Sequence, residues 1–341
     1  MASKRVNILT VDGRALLNKL VFKLLLPCVI FSQLGQAITL EKMKEWWFIP
    51  VNVLLGSTTG SLIGFIVAAF VRPPHPFFKF TVVQIRIGNL GSIPLVLLSA
   101  LCRDKFNPFG DSNACSTFGT AYISFGQPIG AVIMYTYVFH MLAPPSESGS
   151  FDAEDDKLSL PVKTHPKKCT SSLELVKQIF QPPIVASILA MVLGTLPVLK
   201  RLIFTSGGPL FFFTDGCIIL GQAMIPCILL ALGGSLVYGP VSLRLGVRTI
   251  VAIVFARLLL VPLVGLGIVT LADQLGFLPD GDKMFRFVLL LQHSMPTSVM
   301  AGAIANLRGC GKEAAAVLFW VHIFAIFSMA GWIVLYLHLL F

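Results

Sequence analysis

Charge is scarce in this sequence. Asp, Glu, Lys and Arg make up 12% of the 341 residues, against about 25% in a typical soluble domain. Acid is the scarcer sign, with 16 Asp and Glu against 26 Lys and Arg. Enzyme motifs are absent as well: there is no H-E-x-x-H, no phosphate-binding G-x-x-x-x-G-K-[ST] and no G-x-S-x-G. His165, His322 and His338 are scattered, so no grouping has the spacing of a metal site. Neither a metal nor a cofactor is expected, and an enzyme is not. Without an ATP-binding domain, any transport must be secondary, facilitated or channel-like. The seven cysteines form no C-x-x-C pair and no disulfide framework. They read as small hydrophobes in a reduced or lipid setting. The net charge of +10 lacks a long basic run, so it does not point to nucleic acid. Residues 17–31 lack a small-residue cleavage site, so membrane insertion is expected to rely on the spans themselves.

What fills the chain instead is apolar. Hydrophobic residues reach 55%, and the mean hydropathy is +0.84. A helix needs about 20 mostly apolar residues to cross the hydrocarbon core. Such stretches fall at 17–34, 49–71, 80–102, 119–142, 183–199, 210–236, 249–271, 284–307 and 315–340, which predicts an all-α polytopic membrane protein embedded in the lipid bilayer. Sorting the loops onto alternating faces puts fifteen Lys and Arg on the face of the N-terminus and residues 71–80, 141–177, 238–248 and 308–313, and eight on the other. The positive-inside rule assigns the richer face to the cytosol. The polar stretch 143–172 begins with Pro144, Pro145, Ser146 and Glu147 and carries Asp152, Glu154, Asp155 and Asp156. It cannot bury enough surface to fold alone. It reads as a cytosolic linker, with a regulatory role as the alternative.

Two faint echoes relate the parts on either side of it. Pro27-Cys28 is followed by Gly35, and Pro226-Cys227 by Gly234, 199 residues later. Ile87-Gly88-Asn89-Leu90-Gly91-Ser92-Ile93-Pro94 is matched by Gln292-His293-Ser294-Met295-Pro296-Thr297, with the prolines 202 residues apart. The paired offsets predict two repeats, 1–142 and 173–341. The second holds five spans and the first four, which suggests a first helix missing from the chain. Repeats of five helices must be inverted relative to one another. A genuine nine-helix protein is the alternative.

Proline inside a helix deprives the carbonyl four residues back of its donor, and inside lipid that backbone must be satisfied by protein or a water-filled cavity. Secondary transporters place their sites at such interrupted helices. Pro94 and Pro296 each have polar company: Gln84, Arg86, Asn89 and Ser92 in one span, and Gln292, His293, Thr297 and Ser298 in the other. The expectation is two broken helices crossing near the bilayer centre, with half-helix N-termini holding a carboxylate. Ordinary kinks are the alternative. Gln127, before Pro128, is a candidate third wall or a helix–helix hydrogen bond. Asp215, Arg257 and Arg86 are intramembrane ionisable groups and so functional suspects. Asp215 could pair with a basic group, and His293 could carry a proton or simply hydrogen-bond. Gly56, Gly60 and Gly64 repeat the G-x-x-x-G spacing, which permits close helix packing within the chain or in a homodimer.

The stretches 24–35 (Leu-Leu-Leu-Pro-Cys-Val-Ile-Phe-Ser-Gln-Leu-Gly), Ile87 to Pro94, Phe125-Gly126-Gln127-Pro128 and Gln292 to Thr297 together resemble the plant PIN-LIKES family, relatives of the PIN auxin efflux carriers. The resemblance runs through essentially the whole chain from about Leu17. It implies an inverted-repeat fold of ten helices like that of bile-acid–sodium symporters, of which nine would be present here. It also implies a scaffold domain, a transport domain carrying the crossover helices, and a place in the endoplasmic reticulum membrane. The implied function is movement of auxin (indole-3-acetic acid) or a similar small organic carboxylate, tied to auxin signalling. A truncated, non-transporting regulatory or partner-binding isoform is the alternative. Asn89 and Pro94 match the first crossover, Pro296 the second, and Gln127 a site-facing glutamine. Asp215-Gly216, followed by Gly221, resembles a scaffold-helix segment. The PIN carriers have Pro beside this Asn, where Gly88 stands here.

Overall fold

The computed structural model describes residues 11–138, 141–142, 180, 182–224, 226–227, 230, 244–307 and 310–341. The expected linker 143–172 and most of the second Pro-Cys segment lie outside them. In chain order, α1 (Val11–Leu20) passes through a π turn (Val21–Leu25) into α2 (Leu26–Ala37). Then follow α3 (Leu40–Glu45), α4 (Phe48–Val71), α5 (Phe78–Arg86), α6 (Ser92–Arg103) and α7 (Ser112–Ile133), the last ending in a π turn (Met134–Val138). The later elements are α8 (Pro182–Thr195), α9 (Pro197–Ile203), α10 (Phe211–Gln222) and α11 (Val247–Phe255). A third π turn (Ala256–Leu260) joins α11 to α12 (Val261–Gln274), and α13 (Lys283–Ser294), α14 (Val299–Leu307) and α15 (Gly311–Leu340) complete the described chain.

Three of these helices are long and apolar enough to cross a membrane, at Leu40–Val71, Val247–Gln274 and Gly311–Leu340, and the pair α8 and α9 makes a fourth span bent by 113°. Their outer faces are apolar: Phe70 is 84% exposed on α4 and Phe327 is 76% exposed on α15. Aromatic surface left open on that scale is stable only against lipid or another apolar partner. Polar groups turn inward: Asn52, Gln84, Arg257 and His293 are all buried. The chain is therefore an all-α membrane-spanning protein.

Glycine spacing sets the closest packing. A Cβ on Gly60 would lie 3.0 Å from the Arg86 carbonyl oxygen, and one on Gly64 would lie 3.0 Å from that of Val82. The G-x-x-x-G stripe thus seats α5 against α4 within this chain. Pro262 explains a second joint. The carbonyl it orphans four residues back belongs to Leu258, and it accepts from Ser328 Oγ and Trp332 Nε1, each at 2.9 Å. This ties the π turn before α12 to α15.

One expectation fails here. Cys102, at the end of α6, and Cys115, in the first turn of α7, form a disulfide across the α6–α7 loop rather than standing as isolated thiols. Their separation of 13 residues matches no short Cys motif, so only the hairpin of α6 and α7 reveals the pairing. Cys28, Cys217, Cys227 and Cys310 are free.

Candidate functional site

Two spans are interrupted at the same depth. Between α5 and α6 the chain leaves helical geometry at Ile87, with φ −96° and ψ 107°. Between α13 and α14 it does so at Met295, with φ −66° and ψ 142°. The two extended pieces cross and pair. Gly88 and Thr297 form an antiparallel bridge. The Asn89 N–H donates to the Pro296 carbonyl at 2.8 Å, and the Ser298 N–H donates to that of Ile87 at 3.0 Å. The Thr297 hydroxyl donates to the Gln84 carbonyl at 2.8 Å. This small ladder gives partners to backbone groups that the breaks set free, as the membrane interior requires. The breaks themselves fall at Ile87–Gly91 and Met295–Ser298, so the second contains Pro296 while the first stops short of Pro94. Pro94 is the third residue of α6 and buried, within the first turn where proline is tolerated best.

Asn89 caps the restart of the first span. Its Oδ1 accepts from the N–H groups of Gly91 at 3.1 Å and Ile93 at 3.4 Å, and its Nδ2 lies 3.3 Å from Ser92 Oγ. Two of the donors expected to face a ligand are therefore held by Asn89 itself. The N-terminal residues of the restarting helices, Ser92 on one side and Val299 and Met300 on the other, line a cavity of about 380 Å³. Asn89, Arg86, Gln127, Gln292 and His293 line the same cavity, and among the described residues no Asp or Glu does.

The polar groups of the cavity differ in what they have free. Arg86 donates from Nε to Ser57 Oγ at 2.7 Å, and its guanidinium lies 3.5 Å from the Tyr137 ring centroid. Among the described residues it makes no ion pair, since the pair found there joins Arg286 and Asp273 on the surface. The Gln127 Nε2 is buried without a hydrogen-bond partner among the described residues. Asn52, on α4, donates to Gln292 Oε1 at 2.9 Å and to the Leu289 carbonyl at 3.2 Å. Its Oδ1 is thereby the acceptor for His293 Nε2 at 3.0 Å, which assigns the imidazole proton to that nitrogen. The His293 ring stands against Gly56, where a Cβ would come within 2.8 Å. Arg257 is fully buried in the π turn before α12 and faces the crossing itself.

Of the residues the sequence singled out, Asn89, Gln127, His293, Arg86, Ser92 and Gln292 come together at the cavity. Pro296 and Thr297 build the crossing beside it. Pro94 stands just behind, and the Gln84 amide is buried with neither end partnered among the described residues. Asp215 lies elsewhere, exposed on α10, and makes no ion pair among the described residues. Asn52, Ser57 and Tyr137 were not anticipated. The first two are polar residues inside a long apolar run, which is the signal that could have found them. Tyr137 carries no such signal.

Residues 1–333 match the family described as membrane transport protein. The chain is 62% identical to PIN-LIKES 6 of Arabidopsis thaliana over 386 aligned residues, covering 100% of this chain and 89% of that protein. It is 39% identical to PIN-LIKES 2 of the same plant, covering 95% of this chain and 87% of the relative. PIN-LIKES 5 is 30% identical and again covers the whole chain. With a membrane-spanning helical fold and a polar cavity between two interrupted spans, the chain belongs to the PIN-LIKES members of the membrane transport protein family, a family of small-molecule transporters rather than enzymes.

Proposed function

We propose that this protein is a secondary carrier of auxin (indole-3-acetic acid) or a closely similar small organic carboxylate across the endoplasmic reticulum membrane, with the crossing of the two interrupted spans as its binding site. The observation that carries the reading is the charge of the cavity. Arg86 projects cationic character into a pocket that no acidic residue lines among the described residues, and a cation in low dielectric strongly favours an anionic partner. The unpartnered Gln127 amide supplies a neutral donor, and the N-terminal ends of α6 and α14 add partial positive charge. The lining is otherwise largely apolar, with Leu26, Val53, Ile133, Met134 and Val261 among its residues. That suits an aromatic ring attached to a carboxylate.

In this reading the two interrupted spans belong to inverted repeats, 1–142 and 173–341, and move together against a scaffold in alternating access. The stretch 143–172 lies in the cytosol. The disulfide between Cys102 and Cys115 supports that orientation. It closes a loop bearing Arg103 and Lys105 on the face assigned away from the cytosol, and disulfides persist in oxidising compartments.

The test is flux of radiolabelled indole-3-acetate into vesicles carrying the chain, beside Arg86→Gln and Arg86→Lys at equal expression. Arg86→Gln should reduce uptake on the order of tenfold or more, and Arg86→Lys should retain part of it. Equal uptake by wild type and Arg86→Gln, or none above empty vesicles for the wild type, would overturn the proposal.

A further inference from the structure

Arg257 borders the cavity and is buried at the crossing, yet the transport reading gives it no role. Its surroundings are unusual for an arginine. Nε donates to the Met295 carbonyl at 2.8 Å, and Nη1 donates to the carbonyls of Ile85 at 3.1 Å and Arg86 at 3.4 Å. Met295 is the residue that ends α13, and Ile85 and Arg86 are the last two residues of α5. The guanidinium therefore gathers orphan carbonyls from the C-terminal ends of both interrupted spans at once. These ends carry the negative pole of each half-helix. Nη2 presses against Gly88, where any side chain would run into it. No acidic side chain pairs with Arg257 among the described residues, so helix ends alone balance its charge.

In secondary transporters, unwound carbonyls at half-helix C-terminal ends are where a coupling cation is held. Here those oxygens are already committed. We propose that Arg257 is a tethered cation, occupying as part of the chain the position a mobile coupling ion would take, and that this carrier neither binds nor requires an alkali cation at its crossing. The π turn Ala256–Leu260 is the device that delivers it. One extra residue in the helical turn directs Arg257 inward, and the displaced Leu258 carbonyl is satisfied by Ser328 and Trp332. The crossing can then be rigid in the absence of any ion, with Arg86 left to meet the substrate.

The proposal rests on the assignment of the crossing as the transport site, but its test needs no substrate. The full chain is purified in lipid nanodiscs and its thermal unfolding followed in sodium, potassium and N-methylglucamine chloride at equal ionic strength. The wild-type midpoint should be the same in all three. Arg257→Ala should lower it by at least about 2–4 °C, and sodium or millimolar methylguanidinium should restore part of that loss while N-methylglucamine does not. Arg257→Lys, which keeps a charge, should exceed Arg257→Gln, which keeps hydrogen bonds only. The lysine–glutamine comparison decides the matter if the alanine chain does not fold. A wild-type midpoint raised by sodium, an alanine variant as stable as wild type or blind to every small cation, or glutamine matching lysine would each overturn the tethered-cation assignment. Absence of indole-3-acetate flux would instead remove the transport reading and leave this result standing.

Discussion

Asn89 holds two jobs that a pair of substitutions can separate. Its Oδ1 caps the restart of α6 through the Gly91 and Ile93 N–H groups, while its side chain also borders the cavity. Asp keeps the capping oxygen and is as good a cap as Asn, and its charge at a helix N-terminus is favourable by about 0.3–1 kcal/mol. Asn89→Asp should therefore fold with undiminished stability. It would, however, set a carboxylate beside the anion. At about 4 Å and an effective dielectric of about 20, like charges repel by about 4 kcal/mol, which is on the order of a thousandfold in affinity. Asn89→Ala removes the cap and costs about 0.5–2 kcal/mol, or about 2–4 °C in midpoint for each kcal/mol, while adding no repulsion. The assay pairs thermal unfolding in nanodiscs with indole-3-acetate flux at neutral and alkaline pH. The expected pattern is a crossed one: Asp stable and inactive, Ala less stable with residual uptake. An Asp variant transporting like wild type at alkaline pH would refute the placement of the anion at this crossing.

Three further outcomes follow from the packing. Gly60→Leu should separate α4 from α5, because a Cβ already meets Arg86 backbone atoms at 3.0 and 3.1 Å. Overpacking of this kind costs about 1–3 kcal/mol, visible as a lowered unfolding midpoint, whereas Gly216→Ala, inside α10 with nothing near its Cβ, should hold or raise the midpoint, since Ala is the better helix former. Reducing Cys102–Cys115, or replacing both residues with Ser, should remove about 3 kcal/mol for a loop closed over a separation of 13 residues, and the double Ser variant should no longer respond to reductant. Asn52→Ala should strand Gln292 Oε1, His293 Nε2 and the Leu289 carbonyl. An unsatisfied buried group costs about 1–3 kcal/mol, so the midpoint should fall, and Asn52→Asp, which keeps the acceptor for His293 but faces the Gln292 and Leu289 oxygens with a buried carboxylate, should not rescue it.

Much of this site was legible because the membrane makes polarity expensive. Asn89, Gln127, Gln292 and His293 stand out against apolar runs, and an interrupted helix in lipid needs a reason. What the sequence hid was partnership across the fold. Arg257 was visible as a buried charge, but its partners are backbone carbonyls at Ile85, Arg86 and Met295, which leave no trace in side-chain pattern. Asp215 misled for the converse reason. It has the composition of a functional acid, yet α10 turns it outward. The first break also sits beside its proline, since Asn89 and the extended pairing with Pro296 and Thr297 define where helical geometry stops. The disulfide depends on α6 and α7 returning antiparallel, a fact of topology that cysteine spacing does not encode.

The direction of the chain through the two breaks explains why one arginine can be locked while the other is free. Each interrupted span ends its first half with carbonyls and begins its second with N–H groups, so the crossing has a negative side and a positive side. Arg257 sits on the negative side and is neutralised by three carbonyls from two helices. The positive side, at Ser92, Val299 and Met300, opens on the cavity and is met by no acid among the described residues. Arg86 belongs to both. Its carbonyl helps hold Arg257, while its side chain reaches Ser57 and Tyr137 at the cavity. An anion arriving beside Arg86 therefore completes a charge pattern that the fold leaves unbalanced on one side only. A cation arriving there would face two arginines and two helix N-termini. In the proposed reading, discrimination against cations thus comes from the helix ends and the guanidinium groups together. For that reason, changes at the cavity wall should alter which anion is carried more readily than they convert the site to a cation carrier.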